Sequence, residues 1–285
     1  MWTELRYAFK RFRGQILGWG LGIAALGLLL VPFYDIFLER EEVFLQMIES
    51  YPPEVLAFFG GMTAITTPAG FLDVYLSYFP PIVGIFGIIA GSGLLAADEE
   101  SGRMDLILAH PVSRTGLFFG RFSAFIGAAL AIMALSWLGF SIPLGSTSIG
   151  LSWGEMMLPF LSLLAQVLVY GTMALLLSML LPARRLASMT AGLVMVASFF
   201  LTGLAELDED LAAIAQILPH EYYQGGGAVV GLNLTWFFAL LGASAVLTLL
   251  AWWRFLRRDV RVGGEGGWGF ASLLRRRGAG ARGDR

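Results

Sequence analysis

The chain has 285 residues, 57% of them hydrophobic and only 14% charged, with a mean hydropathy of +0.72 and a formal charge of −2. That composition excludes an ordinary soluble globular domain, and the lack of any cysteine excludes disulfides, thiolate metal sites and a cysteine nucleophile. The longest stretch between apolar segments, 35–74, spans about 40 residues, too few for a soluble catalytic domain.

Residues 1–13 carry Trp2, Leu5, Phe9 and Phe12, followed by Ile16, at spacings of three and four, with Arg6, Lys10, Arg11 and Arg13 on the other side. This pattern predicts an amphipathic helix lying in the membrane interface before the chain turns inward. Apolar segments then fall at about 15–34, 75–96, 122–143, 156–181, 187–205 and 235–256. Each reaches the ~20 residues that a helix needs to cross ~30 Å of hydrocarbon. The expected fold is therefore all-α, a polytopic membrane protein with six transmembrane helices in a domain covering 14–260. The first segment is too long for a signal peptide and no small-x-small site follows it, so an uncleaved anchor is expected. Gly18/Gly22 and Gly87/Gly91 have the GxxxG spacing that lets helices approach closely. Packing within one subunit is the expected use.

The loop 35–74 mixes acids with Val43, Phe44, Met47 and Ile48, then Val55, Leu56, Phe58 and Phe59. Pro52 and Pro53 divide it into two expected amphipathic helices on the outer surface. The loop 206–234 opens with Asp208, Glu209 and Asp210, suited to a helix N-terminus. It carries Leu211, Ile214 and Leu218 before Pro219 and turns at the glycines 225–227. The tail 261–285 is rich in Gly and Arg without a periodic apolar face and reads as disordered.

Eighteen of the nineteen Lys and Arg residues lie in the N-terminal tail, the C-terminal tail and the loops after the second and fourth spans. Only Arg40 lies opposite. By the positive-inside rule both termini are cytoplasmic, in a multi-pass protein of the cell (plasma or inner) membrane. The basic face suits anionic membrane lipids. Topology accounts for the arginines, so no nucleic-acid partner is expected.

Lys10, the only lysine, stands outside any G-x-x-x-x-G-K setting, so no P-loop is present. His220-Glu221 is followed by Tyr222-Tyr223, not by a metalloprotease histidine, and His110 falls on the opposite face. No enzyme and no metal site are expected. The span centres hold no ionisable residue, which argues against proton or sodium coupling. Gln166, Tyr170, Thr172, Ser178, Ser198 and Thr202 read mostly as helix-stitching groups. Arg121, at the start of the third span, is expected to snorkel to the headgroups.

The most motif-like stretch is 96–121, between the second and third spans. It offers Met104, Ile107 and Leu108 as an apolar ridge flanked by charge, suited to docking in a groove on a soluble partner. Its residues Glu99, Glu100, Gly102, Ile107, Leu108, Pro111, Val112, Ser113, Arg114, Gly120 and Arg121 resemble the cytoplasmic loop of the type-2 ATP-binding-cassette (ABC) exporter permeases. The Pro219-x-x-Tyr222-Tyr223 run resembles that family's proline–tyrosine element. Arg103 and Arg121 depart mildly from the family's frequent threonine and lysine. The resemblance covers about 1–260.

It implies a permease subunit moving a hydrophobic or amphiphilic substrate, without its own ATPase site or cofactor, because ATP is bound by a separate cytoplasmic ABC ATPase dimer. A second permease subunit, identical or paralogous, would complete the unit. The loop 97–116 would form a coupling helix. Glu99, Glu100 and Arg103 would make polar contacts, with Met104, Ile107 and Leu108 as the inserted ridge. Arg114 and Arg121 would anchor the loop to headgroups or to the ATPase. The alternative is a non-transporting scaffold or sensor recruiting a partner through the same loop.

Overall fold

A backbone in hydrocarbon must satisfy its own polar groups, which favours helices for segments as apolar as these. The computed structural model describes residues 2–52, 65–109, 112–205 and 209–257, and all their regular elements are helical. In chain order they are α1 (Trp2–Leu30), α2 (Phe33–Glu39), α3 (Glu41–Glu49), α4 (Pro68–Leu76), α5 (Phe79–Gly93), α6 (Ala96–Glu100) and α7 (Arg103–Leu108). There follow α8 (Arg114–Ser141), α9 (Trp153–Leu180), α10 (Arg184–Leu204), α11 (Glu209–Ala215) and α12 (Leu234–Arg257). Among the described residues, five helices are long and apolar enough to cross a membrane, or six if the bent pair α4–α5 is one crossing.

The centre is α9, whose most apolar window is 78% buried against 22% for α10 and for α12. It is apolar all round, as a helix enclosed by others must be, and α5, α8, α10 and α12 all pack on it. Its start is fixed by reciprocal capping. Ser152 Oγ accepts from the Glu155 N–H (3.2 Å), and the Glu155 carboxylate accepts from the Ser152 N–H (2.7 Å).

The turn expected after residue 13 is absent. The amphipathic start and the first apolar segment form one helix of 29 residues. No proline interrupts it, and a lone glycine such as Gly14 costs only about 1 kcal/mol. Ala8, Phe12, Ile16 and Ile23 make one buried stripe along both halves, and α1 packs extensively on α8.

The second apolar segment, expected to be a single span over 75–96, is broken: α4 and α5 meet at 44°. Pro80 and Pro81 lack the N–H groups that a continuous helix would need there. The helix restarts instead with Pro80 in its first turn, where no donor is required. At 15 residues α5 rises about 22 Å, short of a full crossing by itself.

In the loop expected to carry two helices, α2 and α3 are already separated at Arg40. Phe37 stacks on Phe44 with ring centroids 4.2 Å apart. The positions Val55, Leu56, Phe58 and Phe59 lie outside the described residues, as do Asp208, His110, Pro111 and the tail 261–285. Beyond α11 the chain folds back over the α4–α5 bend. The Gly226 N–H donates to Asp73 Oδ1 (2.8 Å), the Tyr223 hydroxyl to the Leu76 carbonyl (2.9 Å) and the Gln224 N–H to Ser162 Oγ (3.1 Å).

Candidate functional site

The motif-bearing stretch sits at one end of the bundle and is organised by a residue outside the expected set. Asp98, 1% exposed, is held near the end of the α5–α6 run. Its carboxylate lies 2.7 Å from Arg121 Nη1, 2.9 Å from Arg103 Nη2 and 3.1 Å from Arg11 Nη1. Arg121 is likewise 1% exposed. It donates from Nη1 to the Leu94 carbonyl (3.0 Å), and its Nε lies 3.5 Å from Glu4 Oε2. One carboxylate thus ties together α1, α7 and α8. Arg121 does not snorkel: with a buried acid within reach, the guanidinium is better paired inside than extended to headgroups.

The short helix α7 leaves α6 through a tight turn at Gly102, whose φ of +68° is a left-handed conformation that only glycine adopts at no steric cost. Ser101 Oγ accepts from Arg103 Nε (2.9 Å) and donates to the Asp98 carbonyl (3.2 Å), bracing that turn. Met104 is fully buried in the main core, so it anchors α7 and is no part of an outward ridge. Ile107 and Leu108 are partly buried against the same core. The large apolar side chain that α7 presents outward is Leu106, 69% exposed.

The remaining expected residues are dispersed rather than gathered. Glu99 is buried. Glu100 Oε1 accepts from the Arg184 N–H (2.9 Å), supplying the cap that Ala183 cannot give α10. Arg114 reaches the Leu256 carbonyl (3.5 Å), a cation at the C-terminal end of α12. Ser113, part of the motif, caps α8 by accepting from the Gly116 N–H (3.1 Å). Sequence reasoning missed Asp98, Arg11 and Glu4. The one available signal was that Asp98 is the first charge after the second apolar segment.

At the other end, His220 stacks edge-on to Phe199 (5.2 Å) and near Tyr223 (5.8 Å), and its backbone N–H donates to Ser198 Oγ (3.0 Å). Burial pushes its imidazole from an ordinary 6.5 down to about 4. Unfolded His220 takes up a proton near pH 6.5, whereas folded His220 does so only near 4. The stability present above pH 6.5 is therefore lost progressively as pH falls from 6.5 towards 4. We expect His220→Gln to flatten the fall in thermal midpoint between pH 7 and 5. An unchanged slope would rule this origin out.

A family model described as "Multidrug efflux system permease Rv1217c, C-terminal domain" matches residues 3–256 of the chain. No curated protein matches it.

Proposed function

Because the chain belongs to this multidrug efflux system permease family, we propose that it is the membrane subunit of an ABC exporter, with α7 as its coupling helix. A membrane-embedded transport subunit is what the family and the apolar helices establish. In our reading six spans cross the membrane, α4–α5 counting as one, and both termini face the cytoplasm. ATP is bound and hydrolysed by a separate cytoplasmic ATPase dimer, and a second permease subunit, identical or paralogous, completes the pathway. The cargo is hydrophobic or amphiphilic.

The observation that carries this reading is mechanical. Helix α7 is locked to α1 and α8 through Asp98 and to the core through Met104, while Leu106 points outward. A push on the Leu106 face therefore passes into two long helices instead of being absorbed by a slack loop. Glu99 is buried at this end of the bundle, and Glu100 contributes from inside by capping α10. Gly102 sets the turn, Arg103 links α7 to Asp98, and Arg114 ties α8 to α12. Ile107, Leu108 and Pro111 complete the proposed docking segment.

The cleanest test is Leu106→Asp, because charges at Ile107 or Leu108 would also disturb the core. Association with the ATPase, read by co-purification from solubilised membranes, is expected to fall at least tenfold, with the thermal midpoint within about 1 °C of wild type. Undiminished ATPase recovery by this variant would exclude α7 as the docking element.

A further inference from the structure

A cavity of about 140 Å³ opens between α1, α5, α8 and α10 beside the Asp98 cluster. That is ample for more than one water, which needs about 10–15 Å³. Its polar lining is Arg11, Arg121, Arg184, Gln15 and Tyr7, with Phe12 and Ile89 among its apolar walls and no carboxylate in the lining. Of the nearby acids, Asp98 is engaged by Arg11, Arg103 and Arg121, Glu4 Oε2 lies 3.5 Å from Arg121 Nε, Glu99 is buried, and Glu100 accepts from the backbone of α10. Three guanidinium groups, of Arg11, Arg121 and Arg184, line the cavity itself.

Two polar atoms of the cavity-lining residues, Arg121 Nη2 and Gln15 Oε1, are buried without a hydrogen-bond partner, as is Glu4 Oε2 beside Arg121 Nε. A buried guanidinium N–H left unmade costs about 1–3 kcal/mol, so an acceptor entering the cavity beside Arg121 Nη2 would be stabilised there. The Gln15 carboxamide can rotate to present N–H instead of C=O. Arg184 lies flat against α5, Nη2 donating to the Ile89 carbonyl (3.3 Å) in space left by the missing side chain of Gly93. From Ile89 a stripe of exposed apolar side chains, Ile85 and Ile82, continues along α5 at helical spacing.

We propose that this cavity binds the phosphate of an anionic phospholipid, with an acyl chain lying along Ile89, Ile85 and Ile82. Guanidinium groups converging on an acceptor-poor cavity match a phosphate oxygen set, and the apolar stripe leading away matches a lipid tail but not a free phosphate. The site does not depend on the docking role of α7, and binding can be measured without any ATPase.

The test uses the full chain, delipidated in detergent, with binding read by native mass spectrometry and by thermal midpoint. Dioleoyl phosphatidylglycerol is expected to bind and raise the midpoint, dioleoyl phosphatidylcholine to bind at least tenfold more weakly, and glycerol 1-phosphate to give no shift. Arg184→Gln should weaken phosphatidylglycerol about tenfold, the equivalent of one charge-assisted hydrogen bond. Arg185→Gln, the same charge change at an exposed neighbour outside the cavity, should not. Gln15→Leu provides an independent variant if Arg184→Gln does not fold. Equal loss at Arg184 and Arg185, or equal binding of the two lipids, overturns the site. Glycerol 1-phosphate binding as tightly as phosphatidylglycerol overturns the lipid assignment in favour of a soluble phosphate.

Discussion

Asp98→Ala is expected to be the most damaging single substitution at this end of the bundle, costing about 3–5 kcal/mol of stability. The reason is not the attraction lost but the charge left behind. Arg121 is 1% exposed and Asp98 Oδ2 is its closest acid, at 2.7 Å, while the Glu4 contact at 3.5 Å is too long to replace it. Removing the carboxylate leaves a buried guanidinium without its shortest and strongest partner. It also releases Arg11 and Arg103, so α1 and α7 lose their shared tether. Thermal melting and size-exclusion behaviour in detergent should show a lowered midpoint and a polydisperse peak.

The double variant Asp98→Leu with Arg121→Met separates the two effects. It buries no unpaired charge in the inner pair, so most of the stability should return. Transport should not return, because α7 remains uncoupled from α1. A monodisperse Asp98→Ala protein with a wild-type midpoint would mean that the cluster contributes nothing.

Gly91→Val should produce the second large loss, from a different cause. Gly91 of α5 lies directly on Gly171 of α9, and a Cβ there would overlap the Gly171 carbonyl. Gly171 has no slack to give, because the Phe125 ring and the Gly87 carbonyl both crowd it and α9 is enclosed by its neighbours. Backbone against backbone has no flexible side chain to yield, so overpacking of about 1–3 kcal/mol is the lower expectation. Gly18 and Gly22 share the same sequence spacing, yet a Cβ on either would meet nothing within 4 Å. Gly18→Ala and Gly22→Ala should therefore change stability by no more than about 0.5 kcal/mol. Unfolding midpoints of the three variants side by side decide the matter, and a Gly91→Val midpoint matching that of Gly18→Ala would refute the close crossing.

These glycines show where sequence stops being sufficient. The GxxxG spacing identifies a surface able to take a close partner but not whether one is present. For Gly87/Gly91 the partner is α9, in agreement with packing inside the subunit, and for Gly18/Gly22 no part of the described chain fills the place. The apolar ridge is similar. Spacing offered Met104, Ile107 and Leu108, but a six-residue helix has too few turns to define one outward face. Tertiary packing took Met104 inside and left Leu106 out.

What the sequence determined by itself was the all-helical, membrane-embedded class and the position of the long helices. The segments predicted at 122–143, 156–181, 187–205 and 235–256 correspond to α8, α9, α10 and α12, with α8 starting a further two turns upstream at Arg114. Hydropathy over twenty residues is a local sum, and hydrocarbon leaves the backbone few alternatives. The family resemblance was legible for the same reason, since its motif is contiguous. Only the tertiary structure decided that α1 runs unbroken, that the second segment bends, and that Arg121 is buried on Asp98. Asp98 and Arg11 are 87 residues apart, and the chain offers several acids and bases that could have paired. Which ones meet is set by how α1, α5 and α8 pack, a choice made by long-range contacts that no local window contains.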